Sequence, residues 1–593
     1  MLAAMPPTPA IPPHRDESLV RDGGAACAGG GREARVRDVR EGGDAAVRNR
    51  GAALGRDVRG RGDAAVPEPG DAVVRDRGAA LVRDGGDACA EGGRDDRVPD
   101  VRERGDAVVR DRGAALGRDG GEACAEGGRD DRVPDVRERD DAAARERGDG
   151  LVRERGDAVV RDRGDACPGA LRLHQAADGH LARLRLPAGR LTPHQARVLA
   201  DAADRLGDGH LSLTSRGNAE LRGLGDDSAA PLAGLLRTAG LLPSDQHERV
   251  RNIVASPLAG LDGQGADGGA AVQDWARELD RLLCASPTAP ALSGRFLFAL
   301  DDGRGDVAAL GADVTLIAEA GGTALLRVGD DTEALRLPGH DAPRVALAAA
   351  ETFLTVAREA GNGSWRVREL PPGYEAATVR VHLRTHLAEP CATTSPPAPA
   401  QPSPPRPGQV TAPDGTRALS LLAPLGRLTS AHLRELAAIA AQDGAGELRM
   451  TPWRGVVVPG LSPETAGTRL RELAANGLVT DPASPWYGLG ACTGRPGCAK
   501  SLADVRADAV ATLRAGGGTE QLPVHWSGCA RRCGHPHGAW VDVVATGDAY
   551  EVSVRGTRDE TAAATTVPTT EPGRLADAVA SARAATRTTP TTT

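Results

Sequence analysis

The sequence predicts an α+β fold assembled from a duplicated unit in pseudo-twofold arrangement, and two observations carry this. GRLTPHQARVLADAADRLGDGHLSLT at 189–214 aligns without a gap on GRLTSAHLRELAAIAAQDGAGELRMT at 426–451, a shift of 237 residues from 189 to 426, and the match runs on to Gly223 and Leu224 against Gly460 and Leu461. Within each copy, strand-like segments flank a single helix-like stretch. A repeat that distant and free of gaps marks duplication of a whole two-part unit; a solenoid repeats at much shorter periods.

Residues 1–163 are an imperfect repeat of Arg, Asp, Glu, Gly, Ala and Val, in which ACAEGGRDDRVPDVRER occurs at 88–104 and again at 123–139. With no aromatic residue, few leucines and alternating charge, this tail buries too little to offset chain entropy, and it is expected to be disordered and dispensable for activity. Cys27, Cys89 and Cys124 lie in it and receive no role. Folded sequence begins near Asp165. LARLRLP at 181–187 reads as a strand, Thr192 as the N-cap of a helix running to about Leu206, GDG as a turn and HLSLTS as the next strand. The organisation expected is a first small α+β module at 164–246, a larger domain at 247–388, a Pro-rich linker at 389–410 that joins neither core, a second module at 411–481 and a final domain at 482–590.

Four cysteines in that final domain are the most specific chemical signal. Cys492 and Cys498 in ACTGRPGC, then Cys529 and Cys533 in HWSGCARRCG, supply two thiolate pairs about 30 residues apart, as a 4Fe-4S cluster requires. Gly494, Pro496 and Gly497 let the backbone wrap closely around inorganic sulfur. Structural zinc and inert buried thiols are the alternatives. Zinc knuckles favour C-x2-C to C-x4-C spacing, which the five-residue gap fits poorly.

A net charge of −8 and a pI near 6.0 supply no basic field for nucleic acid. Lys500 is the sole lysine, and every aromatic residue lies at or after Trp275. No apolar run is long enough for a membrane span, no secretory leader is visible, and ten cysteines suit a reducing compartment, so a soluble cytoplasmic protein is expected. Gly263, Gly265 and Gly268 satisfy G-x-G-x-x-G, but the polar loop before them reads as a flexible turn and not as a dinucleotide site.

The cysteine signature and the duplicated module resemble the nitrite and sulfite reductase superfamily over about 165–590. The resemblance implies duplicated ferredoxin-like half-domains plus two reductase-type α+β domains, a 4Fe-4S cluster on Cys492, Cys498, Cys529 and Cys533, and Cys533 as the thiolate shared with an active-site iron. LTSRGN resembles the first active-site arginine motif and places it at Arg216; RVRNIVASPL places a second at Arg251. LSGRFLFALDDG resembles the segment carrying two lysines on the distal face, here Arg295 and Leu297. Guanidinium groups suit this role because they hold tetrapyrrole carboxylates with paired hydrogen bonds.

Leucine at the second distal position removes part of the positive field that an anion reductase needs. With LSGRFLFALDDG and the GALRLH opening, the chain is more similar to the superfamily's cobalamin-pathway branch, the precorrin-3B synthases. That branch implies an oxygen-dependent monooxygenase hydroxylating a precorrin-3A-type tetrapyrrole; the alternative is a sirohaem-dependent assimilatory sulfite or nitrite reductase. Implied with it are a mononuclear non-haem iron or sirohaem, dioxygen and tetrapyrrole as substrates, and an external ferredoxin or NAD(P)H-dependent reductase as donor, with no nucleic-acid or membrane partner. His535 and His537, just past Cys533, are candidate iron ligands or proton relays.

Overall fold

The computed structural model describes residues 165–584 apart from 270, 388, 398–403, 514–520 and 557–563, together with a hairpin pairing Arg153–Arg155 with Ala158–Val160. The hairpin falls within the segment expected to be disordered; the rest of that expectation lies outside the described residues.

The first module comprises β1 (His174–Ala176), β2 (Gly179–Leu184), β3 (Arg190–Leu191), α1 (Pro193–Leu206), β4 (His210–Leu213), β5 (Ala219–Leu224) and α2 (Ala229–Thr238). Helix α1 starts where its sequence dictates. Thr192 Oγ1 accepts from the Gln195 amide at 3.2 Å, Gln195 Oε1 accepts from the Thr192 amide at 2.9 Å, and Pro193 supplies a preset φ. The domain that follows contains β6 (Ile253–Ala255), α3 (Ala271–Ala285), β7 (Phe298–Asp301), β8 (Val314–Glu319), β9 (Thr323–Val328), β10 (Ala334–Pro338), α4 (Ala342–Ala360), α5 (Ala376–His386) and β11 (Ala392–Thr394).

The second module repeats the first: β12 (Gly408–Thr411), β13 (Arg417–Leu422), β14 (Arg427–Thr429), α6 (Ser430–Gln442), β15 (Leu448–Met450), β16 (Gly455–Leu461) and α7 (Pro463–Ala475). Thr429 caps α6 as Thr192 caps α1, with His432 in the place of Gln195. The final domain holds β17 (Leu489–Ala491), α8 (Val505–Ala511), β18 (Val524–Ser527), β19 (Trp540–Ala545), β20 (Ala549–Arg555), β21 (Thr565–Pro568) and α9 (Pro572–Ala584).

The two modules exchange strands. One sheet runs β14-β4-β5-β2-β1 and the other β3-β15-β16-β13-β12, so each borrows from its counterpart the short strand before the helix. Ala188 (φ 55°) and Leu425 (φ 50°), at matching positions, turn the chain across through αL. Gly189 is needed at this crossing, because a Cβ there would lie 1.9 Å from the Met450 carbonyl oxygen. Helices α1 and α6 then bury Leu199, Ala200, Leu433 and Leu436 in one core common to both modules, which fixes the dyad relating them.

The larger domains share a topology of their own. In one, β6, β7 and β8 are parallel and β9, β10 and β11 continue antiparallel; in the other, β17, β18 and β19 are parallel and β20 and β21 continue antiparallel. Phe296, Phe298 and Phe353 fill the first core. Trp526 meets Tyr550 edge to face in the second, with centroids 5.1 Å apart. The linker differs from expectation: Ala392–Thr394 pairs with β10 as an edge strand and Gly408–Thr411 pairs with β13, so both of its ends belong to sheets. The Thr393 and Thr394 pair is β-branched and suits a strand, a signal that the surrounding prolines masked. Among the described residues, no helix is long and apolar enough to cross a membrane.

Candidate active site

Strands β17 and β18 are adjacent and parallel, so the loops leaving their C-terminal ends meet. Cys492 follows β17, its amide donating to the Trp526 carbonyl at 2.9 Å, and Cys529 and Cys533 sit in the loop after β18. Together with Cys498 these cysteines line one cavity of about 490 Å³ that also takes in Arg222, Lys500 and Arg531. The Gly528 amide donates to Cys492 Sγ at 3.2 Å. Gly528 must lack a side chain, since a Cβ would fall 1.8 Å from Ser501 Oγ. Arg532, between the last two cysteines at φ 49°, is held by the buried Asp542 carboxylate at 2.5 Å, which also accepts from Arg555 at 2.9 Å.

The sulfurs converge without crowding. Burial and neighbouring sulfurs push the Cys492 and Cys533 thiols up, so each of the two lies within the field of the others. Yet among the described residues the only trio of His, Cys, Asp or Glu ligand atoms lying within 4.8 Å of one another is Asp301, Asp302 and Asp306. A tetrahedral zinc with Zn–S of about 2.3 Å would draw sulfurs to roughly 3.8 Å. No three of the four sulfurs are drawn together to that separation, and four thiolates from two loops are the donor set that a 4Fe-4S group takes.

A second group of residues forms beside the module dyad. Arg183, Arg185, Arg216 and Arg366 lie close together: burial and its neighbours Arg183 and Arg216 push Arg185 down to about 9, and burial and Arg366 push Arg216 down to about 10. Arg185 is buried and donates to the carbonyls of Arg249 (3.0 Å) and Gly294 (2.7 Å). Arg295 stacks its guanidinium 4.8 Å above Trp365. Leu297 is 3% exposed and packs with Val254, Ala299, Val307, Leu310 and Ala312 beneath Trp453. An amide relay joins the three motif segments, with Leu186 N donating to Asn218 Oδ1 (2.9 Å), Asn218 Nδ2 to Asn252 Oδ1 (2.9 Å) and Asn252 Nδ2 to the Phe296 carbonyl (2.9 Å).

The turn between β15 and β16 links the two groups. Trp453 packs against the apolar cluster that holds Leu297, while the next residue, Arg454 at φ 60°, reaches the Gly534 carbonyl beside Cys533. His525 Nε2 donates to the Cys533 carbonyl at 3.0 Å. Burial and Arg454 push this imidazole down to about 3, so it is neutral and supports the loop without supplying protons. His535 stacks on Trp540 at 5.2 Å with Nδ1 turned to the Pro536 carbonyl at 2.9 Å, and burial lowers His537.

Arg251 departs from the sequence reading. Its Nε and Nη2 pair with Asp280 at 2.6 and 2.8 Å, and its Nη1 donates to the Leu241 carbonyl at 2.9 Å, so this guanidinium is spent joining the first large domain to the end of the first module. Its neighbour Asn252 carries the motif's contact to the other segments. Sequence reasoning also passed over Trp453 and Arg454, although the gap-free repeat sets Trp453 opposite Arg216 and Arg454 opposite Gly217.

Comparison with known proteins agrees with this architecture. The model of the nitrite/sulfite reductase ferredoxin-like half domain matches residues 174–239 and 411–476, the two strand-exchanged modules. The chain thus carries this half domain twice, and it is an oxidoreductase like the relatives that follow. Among individual relatives it is 29% identical to a precorrin-3B synthase of a Sinorhizobium species, over 66% of this chain and 83% of that protein. It is 27% identical to the ferredoxin–nitrite reductase of Synechococcus elongatus, over 60% of this chain and 74% of that protein. The solved Mycobacterium tuberculosis NirA protein shares the fold, with a TM-score of 0.54 at 20% identity over 67% of this chain and 79% of that one.

Proposed function

We propose that the protein is a precorrin-3B synthase-like monooxygenase that hydroxylates a precorrin-3A-type tetrapyrrole with dioxygen during corrin synthesis. The observation that carries this reading is Leu297 itself: at the position where the resemblance puts a distal cation, the chain has a buried leucine packed with Val254 and Ala299 in an apolar cluster against which Trp453 lies. An apolar cluster in place of a cation lowers the positive field there and suits a hydrophobic macrocycle better than a small anion. The arginines around it suit the macrocycle's rim. Arg216, depressed by burial and by its like-charged neighbours, gains from an incoming carboxylate, and Arg295 is oriented by Trp365 to take another.

Cys492, Cys498, Cys529 and Cys533 would hold the 4Fe-4S cluster, which supplies single electrons when bound. Asp542, through Arg532, and neutral His525, through the Cys533 carbonyl, fix the loop that carries two of those sulfurs. The electrons come from an external ferredoxin-type donor, as the names of the nitrite reductase relatives suggest. Those relatives also support the second reading, a sirohaem-dependent nitrite or sulfite reductase.

The visible spectrum of anaerobically purified protein, with acid-acetone extraction, separates the two. Cluster absorption without extractable sirohaem, followed by oxygen-dependent conversion of precorrin-3A, is expected. Stoichiometric sirohaem with nitrite or sulfite turnover would replace this reading by the second.

A further inference from the structure

The cysteine cavity has a neighbour. A second cavity, of about 480 Å³, shares Arg222, Thr493 and Gly497 with it and is lined in addition by Arg427, Arg495 and Arg506. Its three carboxylates are already engaged. Asp178 holds Arg222 through two bonds of 2.9 and 3.0 Å, Asp208 accepts from Arg427 Nη2 at 2.7 Å, and Asp504 caps the Ala507 amide at 3.2 Å. Arg506 is left over. It forms no ion pair among the described residues, and its Nε, like that of Arg427, is sealed in the wall without an acceptor. Burial and the like charges of Arg427 and Arg222 lower it to about 10, so its charge is poorly answered by the protein itself.

We propose that this cavity is a binding site for a phosphate-bearing small molecule, with Arg506 and Arg427 as its principal donors and Arg495 at its mouth. Guanidinium groups converging from separate segments, β14, the Cys492–Cys498 loop and α8, present forked donors from different directions, which suits an anion with three or more acceptor oxygens better than a planar carboxylate. The volume exceeds that of orthophosphate and leaves room for the organic part of a phosphate ester. Neither Arg216 nor Leu297 lines this cavity, so the proposal does not depend on the identity of the oxidised substrate.

The test is calorimetric titration of the full-length, anaerobically purified protein with inorganic orthophosphate. Saturable binding is expected, weakened at least about tenfold in Arg506→Gln and about threefold in Arg495→Gln, an exposed side chain whose Nε also donates to the Ser501 carbonyl at 2.9 Å. Arg216→Gln, in the other arginine group, should leave this binding unchanged. Absence of saturable binding overturns the proposal, as does equal affinity in the wild type and both cavity variants, or loss of binding in Arg216→Gln alone. Because no tetrapyrrole, donor or turnover is involved, failure here leaves the proposed function standing, and failure of that function leaves this result intact.

Discussion

The two large domains carry one frame and two chemistries. In each, a parallel pair of strands delivers two loops to the same place: β6 ends at Ser256 and β7 at the Asp301–Asp302 turn, whereas β17 ends at Cys492 and β18 at Gly528 and Cys529. Even the hydrogen bond between the loops is repeated. The Asp302 amide donates to Ser256 Oγ at 3.2 Å, and the Gly528 amide donates to Cys492 Sγ at 3.2 Å. In the first domain the turn closes on itself: Asp301 accepts from the amides of Gly303, Gly305, Val307 and Ala308, Asp302 is paired by Arg304, and Ser256 Oγ donates to Asp306 at 2.6 Å. In the second, the sulfurs are weak acceptors that leave their coordinating capacity unspent. The frame sets where the loops meet, and the residue type decides whether they satisfy each other or wait for a ligand.

Exchanging the chemistry at matching points should break this comparison most visibly. Cys529→Ser is expected to abolish iron–sulfur absorption and turnover, whereas Ser256→Ala should keep both and cost about 1–3 kcal/mol, since the Asp302 amide loses its side-chain acceptor and Asp306 loses one of its two donors, keeping the Val307 amide. Wild-type turnover by a cluster-free Cys529→Ser protein would show that the thiolates are not the site. A smaller effect is expected from Gly528→Ala, since the first domain tolerates a side chain, that of Asp302, at the same point. There a Cβ would press on Ser501, displacing the segment behind Cys498. Iron content should fall several-fold and recover in part when Ser501→Gly is added; unchanged iron in Gly528→Ala alone would mean that the close approach is unimportant.

Much of this was legible because the signals were local or repeated. The Thr192 cap, the 237-residue repeat and the two cysteine pairs are patterns in the chain itself, and the structure gathers those four cysteines around one cavity. What escaped were properties set by partners far away in sequence. An isolated arginine in a motif gives no sign of whether a carboxylate 29 residues on will claim it, as Asp280 claims Arg251. The strand exchange was hidden because two or three residues of ordinary β propensity decide it, at Arg190–Leu191 and Arg427–Thr429. The Ser256–Asp302 counterpart of the cysteine site left no sequence trace at all, since the larger domains align in topology and not in residues.

The acid turn offers the finest distinction between the copies, through its proton. Burial and the nearby Asp301 raise the Asp306 carboxyl to about 7, while the Asp301 side chain accepts from four amides. In the unfolded chain Asp306 ionises near 3.9. Between these values the folded protein keeps a proton that the unfolded chain has released, so stability should fall as pH rises from about 4 to about 7 and level off above. Asp306→Asn cannot release that proton. Its denaturant-unfolding stability should lose this component of the decline and exceed the wild type at pH 8 by up to about 4 kcal/mol, with the two proteins converging near pH 4. Parallel curves across the window would mean that the turn carries no retained proton, and that the two domains differ only in ligand type and not in how each copy disposes of the charge its loop gathers.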